Sequence, residues 1–241
     1  MPDHVQQHST ITSSKARSMA GLSKPRQALI KILNFSMDLI FPPRCVGCGR
    51  IDTYWCDACE IETVSLDFPG LHSPAAGLKK VAVTAKHEGK LREAVQALKY
   101  QNTPALAKTL GERLTACLQR QDWTIDIIIP VPLHTTRLKE RGYNQSELLA
   151  QNVALNMGIP CRPEALQRIR QTQSQVTMTA AERVTNMQDA FSANCSLSTG
   201  KQVLLIDDVY TTGSTMSACA TALLTCGVQA VYGLTVTAAR I

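Results

Sequence analysis

Little in this chain favours a membrane or a secreted scaffold. No run of about 18 apolar residues occurs, which excludes a helical transmembrane span. The apolar stretch from Ala28 to Phe41 is broken by Lys31 and Asp38, and no small-residue cleavage site follows it, so it does not read as a secretory signal. Aromatic residues are only 5% of the total, which leaves few stacking platforms for single-stranded nucleic acid. Tyr54, Trp55 and Tyr143 are the candidates, and each reads first as structural. A G-x4-G-K-[ST] loop is missing, against a triphosphate site of that type, and so is H-E-x-x-H.

One-signed charge is also scarce. The net charge is +6, but residues 1–44 hold six basic and two acidic side chains, so the rest of the 241 residues are close to neutral. That is not a uniformly basic nucleic-acid-binding surface. The hydrophobic fraction of 44% is ordinary for a globular protein and rules out a wholly disordered chain.

Nine cysteines is an odd number, with four in one short stretch and five scattered, which is not a secreted disulfide framework. A reducing, cytoplasmic compartment is the reading. Cys117, Cys161, Cys195, Cys219 and Cys226 are expected to be small buried hydrophobes, the last two on one helix face.

Residues 1–25 are polar and read as a disordered tail. Residues 26–62 read as a short amphipathic helix, ended by Pro42-Pro43, plus a cysteine module. A loop leads to about residue 78, and residues 79–241 then alternate strand and helix patterns. Strand-like runs occur at Val81–Val83, 125–129, 203–206 and 229–236, with helical patterns near 90–100, 105–119, 144–157, 179–188 and 214–226. Such alternation predicts an α/β domain with a largely parallel sheet.

Cys45-Val-Gly-Cys48 and Cys56-Asp-Ala-Cys59 are two C-x2-C knuckles seven residues apart. Four thiolates from such knuckles can form a tetrahedral, closed Zn²⁺ site without an open position for catalysis. Two dithiol pairs, two disulfides or an iron–sulfur cluster are the competing readings, with zinc ahead.

Residues 203–215 read VLLIDDVYTTGST. An apolar strand delivers Asp207 and Asp208 to its C-terminal end, where open parallel sheets bind ligands. Thr211, Thr212, Gly213, Ser214 and Thr215 then open a helix, and small hydroxyls around a glycine at a helix start make a phosphate cradle. Carboxylates for two hydroxyls beside a cradle for a 5-phosphate describe a ribose 5-phosphate site. A capped helix start alone explains the Ser and Thr but not the adjacent acids.

VLLIDDVYTTGST resembles the signature of type I phosphoribosyltransferases, which bind phosphoribosyl pyrophosphate (PRPP) and Mg²⁺. More narrowly, the chain resembles the ComF/GntX family, in which a Cys-rich zinc module precedes a phosphoribosyltransferase-like domain. The residues that carry this are FPPRCVGCG with CDAC, LKY at 98–100, PVPLHTTRLKERGYNQSELLA at 130–150 and RIRQTQSQVTMTAAERVTNMQDAF at 168–191.

The resemblance implies a parallel sheet flanked by helices behind a small four-cysteine zinc ribbon, with structural Zn²⁺ and Mg²⁺ carried by PRPP. It places Pro132, Leu133, His134, Arg137 and Arg141 beside the pyrophosphate, and Arg168, Arg170, Thr172 and Gln175 in a mobile loop. It assigns Asp207 and Asp208 the role of ribose anchors and implies pentosyl transfer to a nitrogen acceptor. It points to DNA uptake in natural competence, beside a DNA-translocating helicase or single-stranded DNA. The alternative is a non-catalytic nucleotide-sensing or interaction protein.

Overall fold

The computed structural model describes residues 42–64, 71–72, 74–170 and 190–239. The expected tail over 1–25, the helix over 26–41 and the helical pattern around 179–188 therefore lie outside the described residues, as do Thr172 and Gln175. From Pro43 onward the chain forms one compact unit.

Helix α1 (Asp57–Val64) begins at the second cysteine knuckle. Strand β1 (Leu71–His72) and strand β2 (Lys80–Lys86) follow, then helices α2 (Gly89–Tyr100) and α3 (Leu106–Leu118). Strand β3 (Ile127–Pro130) leads to helices α4 (Thr135–Arg141) and α5 (Gln145–Met157). Short strands β4 (Leu166–Arg168) and β5 (Phe191–Ala193) precede helix α6 (Cys195–Ser198). Strand β6 (Gln202–Tyr210), helix α7 (Ser214–Thr225) and strand β7 (Ala230–Ala238) complete the domain.

The main sheet has the order β1-β2-β7-β6-β3. Strands β2, β7, β6 and β3 are parallel, and β1 is an antiparallel edge. Helices cover both faces, which is why the inner strands read as unbroken apolar runs. Leu204 and Ile206 pack with Leu98, Leu110, Leu114 and Leu149 on one face. Val203 and Leu205 pack with Cys219 and Leu223 of α7 on the other.

The strands run longer than their apolar text. β6 and β7 stay in register past the apolar core, through Asp207↔Thr235 to Tyr210↔Ala238, so the two acids lie inside the paired strand. β4 and β5 form a separate antiparallel ribbon where only a polar segment was legible. The basic stretch after β3 is a helix, α4.

Of the five scattered cysteines, Cys219 is buried as expected and Cys117 and Cys161 are half-buried against the core, while the other two depart further from the expectation. Cys195 is exposed and forms a disulfide with Cys226. Cys226 ends α7 as its C-cap, so it does not share the core face of Cys219, which is fully buried. No helix among the described residues is long and apolar enough to cross a membrane.

Candidate functional site

The acids leave β6 toward different partners, because neighbouring strand residues face opposite sides of a sheet. Asp208 is buried, and its Oδ1 lies 2.7 Å from Lys99 Nζ at the end of α2. Its Oδ2 is buried without a hydrogen-bond partner. Asp207 Oδ1 accepts from Ser146 Oγ at 2.8 Å and from the Asp208 N–H at 2.9 Å. Burial, then the neighbouring Asp208, raises the Asp207 carboxyl to about 7, against the pull of Lys99. Asp207 keeps some exposed surface, but protein encloses it closely on most sides, and the direction of the shift follows from that enclosure.

The turn after β6 is built around Gly213, at φ +74°. A Cβ there would collide with Tyr210 Oη and stand 2.7 Å from Ala75 Cβ, so only glycine fits. Tyr210 Oη in turn accepts from the Ala75 N–H at 3.0 Å. Thr211 and Thr212 are exposed, while Ser214 and Thr215, the first residues of α7, are half-buried. Thr212 Oγ1 donates to Ser214 Oγ at 3.0 Å. The hydroxyls of Thr212 and Ser214 thus meet at the start of α7, and Thr212 Oγ1 also accepts from the Ser214 N–H at 3.4 Å.

Pro132, Leu133 and His134 form the half-buried turn between β3 and α4. His134 caps α4, its Nδ1 accepting from the Thr136 N–H at 3.3 Å. Asn144 ties this turn to α5, donating Nδ2–H to the Val131 carbonyl at 3.1 Å and accepting from the Ser146 N–H at 3.1 Å. Val131, Asn144, Ser146 and Asp207 are therefore one hydrogen-bonded chain from the turn to the acid pair. Arg137 is exposed. Arg141 donates to Gln145 Oε1 and lies over the Tyr100 ring, 5.3 Å from its centroid. A cleft of about 190 Å³ opens here, lined by Lys99, Tyr100, Asn102, Arg137, Glu140 and Arg141. Arg168 sits in β4 over the Phe191 ring at 5.4 Å, and Asp207 and Arg137 both act on its charge.

Cys45, Cys48, Cys56 and Cys59 converge, with all four sulfurs within 4.8 Å of one another. The Cys45–Cys59 and Cys48–Cys56 sulfur separations are 3.7 and 3.6 Å. Four sulfurs about 2.3 Å from one tetrahedral Zn²⁺ would stand about 3.8 Å apart, so the set fits that metal. Burial raises the Cys59 thiol to about 12, helped by the three other sulfurs around it. Burial also works against the Cys45 thiolate, but the backbone N–H groups of Cys56, Gly47 and Cys48 and the Cys59 thiol outweigh it and lower Cys45 to about 6. Crowded thiols that cannot all ionise alone are what a dication resolves. Gly47 lets the backbone pass close: a Cβ there would be 3.1 Å from both Cys59 Sγ and the Trp55 ring.

Sequence reasoning missed Lys99, Ser146 and His87. His87 follows β2 at the same edge of the sheet, with Nδ1 2.8 Å from Thr237 Oγ1. Burial, then Lys99 and Arg92, lowers its pKa against the pull of Asp208, a net shift that favours the neutral ring. The one signal for Lys99 was its place in the LKY stretch.

The phosphoribosyl transferase domain model matches residues 143–240. Competence protein F of Haemophilus influenzae is 30% identical over 204 residues, covering 80% of this chain and 84% of that protein. The DNA utilization protein YhgH of Escherichia coli K12 is 30% identical over 195 residues, 78% of this chain and 85% of that one. Competence protein ComFC of Bacillus subtilis is 33% identical over 99 residues, 41% of this chain and 38% of its own.

Proposed function

Because this chain belongs to the ComF/GntX family, with a cysteine module ahead of a type I phosphoribosyltransferase-like domain, we propose that it binds PRPP with Mg²⁺ at the C-terminal edge of its sheet and serves DNA uptake in the cytoplasm. The names of its relatives, competence and DNA utilization proteins, support the DNA role. The observation that carries the ligand reading is Asp208, whose buried, unpartnered Oδ2 stands just before the Thr211–Thr215 turn.

In this reading the turn takes the 5-phosphate, and the Asp207 and Asp208 carboxylates accept the ribose hydroxyls. Pro132, Leu133 and His134, with Arg137 and Arg141, face the pyrophosphate. Mg²⁺ takes oxygen ligands and keeps waters, so it binds largely through PRPP, with the acids as outer acceptors. Its chemistry is to neutralise charge on the leaving group. With a nitrogen acceptor, the C1–oxygen bond to pyrophosphate breaks through an oxocarbenium-like transition state, and the nearby arginines stabilise the charge that develops. The four cysteines hold one structural Zn²⁺. The division that goes with this reading is a tail over 1–25, a helix and ribbon over 26–62 and the ligand-binding domain over 79–241.

Calorimetric titration of the zinc-loaded protein with PRPP tests the reading. Micromolar binding that requires Mg²⁺ and is competed by ribose 5-phosphate is the expected result. Absence of heat at millimolar PRPP, with and without Mg²⁺, overturns it.

A further inference from the structure

The ion pair between Lys99 and Asp208 joins the last turn of α2 to β6 at 2.7 Å. It leaves the carboxylate half satisfied, with Oδ1 on an ammonium and Oδ2 buried without a partner. An unpaired buried oxygen is costly and calls for a partner that arrives from outside. Lys99 also borders the 190 Å³ cleft with Arg137 and Arg141. One ammonium therefore stands between the carboxylate and a cationic cleft. The cleft's three cations against Glu140 suit a diphosphate.

We propose that Lys99 is a partner-exchanging, anion-binding residue. Without ligand it sits on Asp208 Oδ1; when a diphosphate enters the cleft, the ammonium moves to a phosphate oxygen, while ribose hydroxyls take up the open Oδ2 and replace it at Oδ1. This rests on the ribose 5-phosphate reading above. Lysine suits the task, since its stem is flexible and its three donors rotate. The backbone beneath it stays fixed. Leu98 is fully buried, and its carbonyl accepts from Tyr143 Oη at 2.6 Å; the Gln101 N–H donates to the Ala97 carbonyl and closes the helix. The Lys99 and Asp208 side chains are 21% and 4% exposed, so the exchange occurs largely out of bulk water, where each charged contact counts for more. Arg141 is held by Gln145 and Tyr100 and adds fixed charge to the cleft without exchanging partners.

Exchange makes the two halves of the ligand cooperative. A hydroxyl on Asp208 Oδ1 releases Lys99 for the diphosphate, and a diphosphate on Lys99 frees Oδ1 for the hydroxyl, by the same factor in both directions.

The test is calorimetry on the full zinc-loaded chain with Mg²⁺, using inorganic pyrophosphate and ribose 5-phosphate as separate probes, each alone and then with the other saturating. In the unmodified protein each probe should tighten the other about fivefold or more. Lys99→Met should weaken pyrophosphate about tenfold and abolish the coupling, while ribose 5-phosphate binding alone survives. Lys99→Arg should recover pyrophosphate affinity but not the coupling. If both probes bind without coupling, or if Lys99→Met weakens both alike together with a fall in melting temperature, Lys99 is only a structural counter-ion and the proposal falls. If the unmodified protein binds neither probe, the ribose 5-phosphate reading falls first and takes this inference with it.

Discussion

Arg113 Nη1 donates to Glu60 Oε1 at 2.7 Å, an ion pair that fastens the cysteine module to the domain. The same guanidinium donates to the Thr63 carbonyl at 2.8 Å and to Thr84 Oγ1 at 3.1 Å, so one cation on α3 holds α1 and β2 together. Glu60 meanwhile accepts from Trp55 Nε1 at 2.8 Å, beside the four sulfurs. Arg113→Met leaves Glu60 without its cation and should cost about 3 kcal/mol in urea unfolding, as breaking a largely buried pair does. Arg113→Lys should recover little, because a point charge cannot reproduce the planar fork. Unfolding curves unchanged by Arg113→Met would show that the module is held by other contacts.

Metal should be stoichiometric. Elemental analysis is expected to give one Zn per chain, lost in Cys45→Ser or Cys59→Ser and after treatment with a strong chelator. Removing the dication leaves crowded thiols, one pushed up to about 12, so the metal-free protein should melt at a lower temperature. Gly47→Ala brings a methyl within 3.1 Å of Cys59 Sγ and should weaken the metal without removing a ligand. Iron in place of zinc, or no metal in freshly purified protein, would refute the assignment.

How far the sequence went follows from the reach of each signal. Ile127–Ile129 and Val203–Ile206 were legible as strands because helices cover both of their faces. The four cysteines were legible because their spacing is local, and the Thr211–Thr215 turn because its glycine and hydroxyls are neighbours in the sequence. Lys99, Ser146 and Arg113 were not, since each matters through a partner about 50 residues or more away that only the topology delivers. The three-residue strands β4 and β5 are too short to show a period. The Cys195–Cys226 pair escaped for the same reason as the lysine, being a contact between the start of one helix and the end of another.

Asp207 makes stability depend on pH in an unusual direction for a carboxylate. Its folded pKa is raised to about 7 from an ordinary 3.8, chiefly by burial and then by Asp208. The native state then holds the proton more tightly than the unfolded chain does. This group's contribution is fully present below about pH 4 and is lost as pH rises through 7. The ligand-free Asp207→Asn variant should therefore gain on the unmodified protein as pH rises from about 4 to 7, with a flat difference above that. Melting curves of both proteins across this range measure the gap. A gap that is constant with pH, or that shrinks as pH rises, would show that Asp207 ionises normally.

The Cys195–Cys226 bridge spans 31 residues of sequence. A loop of that size closed by a disulfide is stabilised by about 3–4 kcal/mol relative to the open chain. Cys195→Ser should lower the urea midpoint when no reductant is present and change little in excess dithiothreitol. Non-reducing peptide mapping should show the linked pair directly. Equal midpoints without reductant would mean that the thiols remain free in solution.

Gly213 sets the turn after β6 apart from an ordinary helix start. At φ +74° any other residue pays roughly 1–2 kcal/mol for a left-handed backbone, and here the new methyl also meets Tyr210 Oη. Gly213→Ala must therefore open the turn or displace the tyrosine that holds Ala75. Ribose 5-phosphate, bound through this turn, should weaken about tenfold or more, while pyrophosphate in the cleft beside Arg137 should bind as before. The two probes share one fold, so a general loss of structure would weaken both. Selective loss of the sugar phosphate would assign the turn to the 5-phosphate; selective loss of pyrophosphate would reverse the orientation of the ligand along the sheet edge.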